Sequence, residues 1–180
     1  MMKQSSSKQG HKRLPVKLTI LAALLAIGGC TQFKDVPPGT PFSELESTFG
    51  KPTVLCDLED GSKRAVWSQQ PSGQTAWAVD ISKTGETGQL EQVLTNDSFE
   101  RLRRGIWTAE DLRCTFGPPA EDTMVGPSGS RKVVWSYRYL QSDVWHSLMS
   151  IYLGPEGKQV TNFHPGPDPW FSEDADFSKL

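Results

Sequence analysis

Two short stretches carry the clearest pattern of apolar and polar positions in this chain, and they are near copies of each other. Phe42, Leu45 and Phe49 stand at i, i+3 and i+7, and Ala109, Leu112 and Phe116 repeat that spacing. Such spacing lines one face of a helix. Each stripe runs into a glycine, Gly50 or Gly117, and a proline follows within two residues at Pro52 or Pro118. Glycine ends a helix without steric penalty, and proline cannot continue one. The pattern therefore predicts two short amphipathic helices, each stopped abruptly before extended chain. Thr40 with Pro41 suits the start of the first helix. Thr108 with Asp111 three residues on suits a capping box for the second.

Between and after these helices the period changes to two. Trp77, Val79 and Ile81 alternate with polar or small residues, as in a strand that buries one face. Strands are predicted at Arg64–Ser68, Thr75–Ile81 and Leu90–Leu94, and again at Lys132–Leu140, Ser147–Leu153 and Lys158–Phe163. Val54, Leu55 and Cys56 read as an extended lead-in, and a polar loop runs through Gly126-Pro127-Ser128-Gly129. A further short helix after Thr95 or Asn96 would bury Phe99 and Leu102. Other matches recur at a similar offset: Val66-Trp67-Ser68 with Val134-Trp135-Ser136, Trp77 with Trp145, and Val93 with Val160. The expected fold is α+β, two tandem small units, each with a short helix or two packed on a three-stranded antiparallel sheet. The first unit spans 39–94 and the second 95–164. Residues 165–180 are Pro-, Gly- and acid-rich and read as a flexible acidic tail. Trp170, Phe171 and Phe177 also suit a partner-binding peptide within it.

Charge changes the picture at the N-terminus. Five basic residues (Lys3, Lys8, Lys12, Arg13, Lys17) and no acidic ones precede Cys30. Without them 14 basic face 21 acidic residues, a net charge of −7. That balance argues against a nucleic-acid partner. The basic region leads into an apolar run from Leu18 to Ile27, which Gly28-Gly29-Cys30 closes. About ten apolar residues fall short of the roughly 20 that cross a bilayer core. The first 29 residues therefore read as a secretory signal peptide. Ile27-Gly28-Gly29-Cys30 resembles a lipobox, which implies diacylation of Cys30 and cleavage just before it. The pattern also suits an ordinary signal with Cys30 merely nearby. Thr31 in place of an acid implies, by the same resemblance, sorting to the outer membrane, facing the periplasm of a Gram-negative cell. Residues 30–38 would then form a tether.

The run Leu94-Thr95, Phe99-Glu100-Arg101-Leu102-Arg103-Arg104-Gly105 and Thr108 through Gly117-Pro118-Pro119 resembles the SmpA/OmlA (BamE-like) family of outer-membrane lipoproteins. Val134-Trp135-Ser136-Tyr137-Arg138-Tyr139 and Gly157-Lys158-Gln159-Val160 are similar to that family's strands. The likeness covers about seventy residues of the second unit and, more loosely, the first. It implies a lipid-anchored, non-enzymatic protein that supports β-barrel assembly through protein contacts, with the β-barrel assembly machinery as partner. The tandem form is similar to the β-lactamase inhibitory proteins and implies, alternatively, a periplasmic inhibitor or binding module. The chain departs from the family's Gly-Met-Thr with the longer Gly105-Ile106-Trp107-Thr108, and the first unit lacks room for the family's first helix.

Candidate chemistry adds little. Cys56 and Cys114 remain once Cys30 is set aside, one in each unit. Paired, they would close a loop of nearly sixty residues, worth ~4 kcal/mol by chain entropy; unpaired, each suits a small buried apolar position. His146 and His164 have no partner at metal-ligand spacing, so no metal site is expected. Glu110-Asp111 could pass for a catalytic pair, but acids in a first helical turn favourably meet the helix dipole. No nucleophile elbow, phosphate loop or dinucleotide fingerprint occurs, and neither an enzyme activity nor a cofactor is expected.

Overall fold

In the computed structural model, which describes residues 32–154 and 156–171, both glycine-stopped stripes are helices. Helix α1 spans Phe42–Phe49 and buries Leu45. Helix α2 spans Asn96–Glu100, where Thr95 caps the Ser98 N–H, and it continues as a 3-10 turn over Arg101–Arg103. Helix α3 spans Ala109–Phe116, buries Leu112 and Phe116, and starts in a complete Thr108/Asp111 capping box. Thr40 does not cap α1. Its hydroxyl donates to the Pro37 carbonyl 2.7 Å away, and the helix begins after Pro41 without a side-chain cap.

The fold is α+β with two four-stranded antiparallel sheets. The first contains β1 (Val54–Asp57), β2 (Lys63–Ser68), β3 (Ala76–Ile81) and β4 (Glu91–Gln92), in that spatial order. The second contains β5 (Glu121–Val125), β6 (Lys132–Gln141), β7 (Trp145–Tyr152) and β8 (Asn162–Pro167), again in chain order. Three strands per sheet were expected, and the added strand in each case directly follows the helix-stopping glycine. Its sequence gave little signal: β5 buries none of its five residues and contributes mainly edge hydrogen bonds. Lys158–Thr161, expected as a strand start, instead meets the approach to α3. There the Ala109 N–H donates to the Lys158 carbonyl and the Val160 N–H to the Trp107 carbonyl.

The helices are not divided evenly between the sheets. One face of the first sheet (Ala65, Trp67, Val79, Ile81) packs on α1 through Leu45, Phe42 and Phe49. Its other face (Val54, Cys56, Val66, Ala76, Ala78) joins a single core with Phe99 and Leu102, with Leu112 and Phe116 of α3, and with Tyr137, Tyr139, Met149 and Ile151 of the second sheet. Helix α3 lies against β1, β2 and β3 of the first sheet, and its Phe116 ring meets Tyr137 of the second at 5.9 Å. Burying Leu112 and Phe116 completely stabilises the fold by roughly 1.5–3 kcal/mol each.

Segments expected to be loose are built in at both ends. Phe33, placed in the tether by its sequence position, stacks on Phe49 at 4.0 Å and on Trp77 at 5.7 Å, and Val36 is buried. The 3-10 turn Phe33–Asp35 sets a ring on Phe49 much as α2 sets Phe99 on Phe116, at 4.9 Å. At the other end, residues 165–167 belong to β8, and Pro169–Phe171 form a 3-10 turn. The flexible-tail reading fails for 165–171 because Arg138, 2% exposed, requires a counter-charge there. Asp168, also buried, lies 3.1 Å from Arg138 Nε, and the Trp170 ring covers the guanidinium at 4.1 Å. Residues 172–180, Phe177 among them, lie outside the described part.

The two glycines show both the repetition and its limit. Gly50 (φ 79°, ψ −179°) and Gly117 (φ 84°, ψ −166°) share one conformation, and each N–H bonds the carbonyl four residues back. That backbone region is essentially closed to other residues. The Gly50 carbonyl accepts from Trp67 Nε1 at 2.9 Å and the Gly117 carbonyl from the Tyr137 hydroxyl at 3.2 Å. Trp67 therefore corresponds in place to Tyr137, and the sequence match of Trp67 with Trp135 is out of register. Trp77 pairs with Trp67 in the sheet, whereas Trp145 pairs with Gln141 at a hairpin end. A Cβ at Gly50 would meet nothing within 4 Å; at Gly117 it would lie 3.2 Å from Ser68 Cβ and 3.3 Å from Val66 Cγ1. Gly50→Ala should lose about 1–3 kcal/mol from backbone strain. Gly117→Ala should lose measurably more, read as a lower urea midpoint at equal m-value; equal losses would contradict the packing of α3 against β2.

Candidate interaction surface

Most of the residues singled out in the sequence serve the fold. Cys30 lies outside the described residues. Cys56 on β1 and Cys114 on α3 form a disulfide with Cα atoms 5.9 Å apart, fastening α3 to the edge of the first sheet. Glu110 approaches the Cys114 sulfur at 3.6 Å, but a disulfide sulfur has no proton to donate. Cys56, Glu110 and Cys114 are close enough to hold a cation, yet the bond consumes both thiolates and leaves one carboxylate. Asp111 is occupied by the capping box. His146 Nδ1 contacts Gln74 Oε1 at 3.0 Å and its ring stacks on Phe171 at 3.9 Å. His164 stacks on Tyr152.

Tyr137 was not singled out, and its environment is the most perturbed. Burial pushes its phenol far above the ordinary tyrosine range, and the nearby Arg113 charge offsets this only in part. Arg64 is partly buried, which disfavours its charge, but Glu91 at 2.8 Å and Asp80 at 2.6 Å outweigh that and hold it protonated. Glu100 is held below the usual carboxylate range by its hydrogen bond to Arg103.

The surface feature that sequence reasoning missed is the free end of the β6–β7 hairpin. Its ladder continues four pairs beyond Tyr137, from Arg138–Leu148 to Gln141–Trp145, while β2–β3 continues one pair beyond Trp67. β8 flanks β7 as far as Ser147–Pro167, so the support that is missing is on the β6 side, and neighbouring loops supply it. β5 pairs no farther than Ser136, which leaves one flank of β6 open. The Gln70 side-chain amide covers that flank as a peptide group would: the Arg138 N–H donates to Gln70 Oε1 at 3.2 Å, and Gln70 Nε2 donates to the Arg138 carbonyl at 2.8 Å. Arg138 Nη1 also donates to the Pro71 carbonyl, and Nη2 to Glu121 at 2.6 Å. Asp168 and Arg138 Nε attract by charge at 3.1 Å without an aligned hydrogen bond.

The supported tip presents apolar groups to solvent. Val144 is 65% exposed, Trp145 69%, Phe171 45% and Leu140 36%. Ser142 and Asp143 turn the chain with φ of 53° and 58°, a left-handed conformation that short polar residues tolerate. Beside the tip is a cleft of about 390 Å³ lined by Thr95, Asn96, Asp97, Leu140, Ser142 and Asp143. A second cleft of about 380 Å³ shares Asn96 and Asp97 and extends past Arg103 to Phe163. Of the exposed apolar residues, the sequence marks Phe171 as a partner-binding aromatic of the C-terminal segment, whereas the exposure of Trp145 depends on where the hairpin ends.

Set against family models, characterised proteins and solved structures, the chain matches none of them. Its class is defined by its own architecture, an α+β protein of two antiparallel sheets.

Reduction of the Cys56–Cys114 bond should lower stability by ~4 kcal/mol, the entropy of a loop spanning 58 residues. The oxidised protein should give no thiol label at these positions; stoichiometric labelling without reductant would rule the bond out. Tyr137 gives a pH test. A phenol held protonated in the fold and ionising near pH 10 when unfolded contributes stability below about pH 10 and loses it as pH rises further. Tyr137→Phe should lose about 1 kcal/mol at neutral pH with its hydrogen bond, and the variant's stability should fall less steeply above pH 10. Parallel alkaline profiles would contradict this.

Proposed function

We propose that this chain is a non-enzymatic lipoprotein, held at the outer membrane by acyl chains on Cys30, that supports assembly or stability of β-barrel outer-membrane proteins through protein–protein contacts. The observation that carries the reading is the Cys56–Cys114 bond. Disulfides of this structural kind persist in oxidising compartments. An export signal ending at a lipobox-like Cys30 would deliver the chain to one. The SmpA/OmlA resemblance of residues 94–119 supplies the barrel-assembly context, and the exposed Val144–Trp145 tip supplies a surface suited to partners.

Anchoring also limits where the folded body works. Two residues, Thr31 and Gln32, separate Cys30 from the packed Phe33. Extended chain spans about 3.4 Å per residue, so an acylated Cys30 would keep Phe33 within roughly 10 Å of the bilayer surface. Confinement of that kind raises the effective concentration of a modest-affinity binder at the membrane where its partner resides. No catalytic step and no cofactor are assigned.

A second reading is a periplasmic inhibitor of the tandem β-lactamase-inhibitor type. The repeated order of one helix and four antiparallel strands favours it. Two measurements decide. The membrane-extracted protein should have the mass of a chain beginning at an acylated Cys30, and Cys30→Ala should release it from the membrane. Crosslinking in intact cells should capture a barrel-assembly subunit with the wild type and lose it with Cys30→Ala. An unmodified soluble product, or capture of no such subunit, would overturn the first reading, and stoichiometric inhibition of a β-lactamase would install the second.

A further inference from the structure

We infer that the β6–β7 tip and the cleft beside it form the docking surface of this protein, and that its occupant is a protein segment presenting an apolar side chain next to a lysine or arginine. This rests on the reading of the chain as a protein-binding adaptor and names the surface it uses.

The tip is the longest departure from the repetition of the two sheets. Its ladder is prolonged by Arg138 to Gln141, and five groups from elsewhere hold it in place: Gln70, Pro71, Gln74, Glu121 and Asp168. Asn96 Nδ2 adds a bond to Ser142 Oγ at 3.1 Å. A hairpin supported this heavily can hold Val144 and Trp145 in water without collapsing onto the body. Rigid exposed tryptophan is the residue type that most often dominates protein interfaces.

The chemistry of the rim decides the occupant. Asn96 Oδ1 is buried beneath the cleft surface, where a ligand does not reach it, and the Asn96 amide nitrogen donates to Ser142 Oγ. Asp97 and Asp143 line the same cleft, and neither carboxylate pairs with a basic group among the described residues, whereas the neighbouring Glu100 is taken by Arg103. These two exposed carboxylates are anionic hydrogen-bond acceptors at the rim of the cleft. A guanidinium or ammonium satisfies them, and the apolar tip takes the side chain beside it. The residues following the signal carry a net −7, which draws a basic partner to the surface. An anionic bilayer fits poorly, because inserting the tip would press both carboxylates against phosphate headgroups.

The mature chain should be titrated with two synthetic peptides, acetyl-Leu-Lys-Leu-Lys-Leu-amide and its counterpart with glutamate for lysine, and followed by amide chemical shifts. The lysine peptide should move residues 95–97 and 140–146 and the glutamate peptide should not. Trp145→Ala, a substitution at an exposed position, should weaken binding by roughly tenfold or more, as interface tryptophans do. The double substitution Asp97→Asn with Asp143→Asn should weaken it and flatten its salt dependence. Equal binding of both peptides, shifts confined to another surface, or unchanged affinity in these variants would overturn the assignment. So would binding to phosphatidylethanolamine–phosphatidylglycerol vesicles that Trp145→Ala abolishes, which would give the tip to lipid. Since the assay needs no barrel-assembly subunit, failure of cellular capture leaves it standing. Capture that persists in Trp145→Ala would sink this surface alone.

Discussion

Helix α3 has to satisfy two sheets at once, and much of the architecture follows from that constraint. It has eight residues, too few to be stable alone, so its persistence depends on tertiary packing. Phe116 and Leu112 enter the shared core, and Cys114 bonds covalently to β1. The helix then stops within one residue, at a point where the chain lies against β2. Gly117 makes the stop, with Val66 and Ser68 so close that even a methyl group would crowd them. Helix α1 repeats the same stripe and stop with nothing behind it, which is why Gly50 lies in open space while Gly117 does not.

The shared helix layer leaves each end of the molecule with a different problem. The first sheet is covered on both faces, by α1 on one side and by α3 on the other. Among the described residues no α-helix follows the second sheet to cover its outward face, and that face contains the guanidinium of Arg138. An isolated buried charge is untenable, so counter-charges converge on it: Glu121 from the neighbouring strand and Asp168 from the C-terminal segment, with Trp170 stacked over the plane. The same side chain thereby closes the sheet, orders residues that would otherwise be loose, and braces the base of the hairpin whose tip stands in solvent. Stability and surface presentation meet at one residue.

Local signals in the chain fared well where the physics is local. The i, i+3, i+7 stripes, the Thr108–Asp111 box and the glycine stops depend on contacts within a few residues, and all are found. The period-two pattern of Trp77, Val79 and Ile81 located β3 for the same reason. β5 escaped notice because an edge strand held by backbone hydrogen bonds needs no apolar alternation, and Glu121–Val125 has none that is buried. The repeat was visible as a motif but misaligned in detail: Trp67 and Trp135 match as letters, while Trp67 and Tyr137 perform the same bond. Spacing between strands varies with loop length, and letter matching cannot see which ring reaches the glycine carbonyl.

The sequence by itself determined where the three α-helices lie and where α1 and α3 stop, because those outcomes follow from side-chain spacing and from the backbone freedom of single residues. It also confined the candidate chemistry to a lipobox-like Cys30 and two further cysteines. Tertiary structure alone decided that Cys56 faces Cys114, that both sheets share α3, that Arg138 recruits Asp168, and that Trp145 is left in water while Trp77 is packed. Each of these depends on distances between residues far apart in the chain, and such distances are set by how the layers stack.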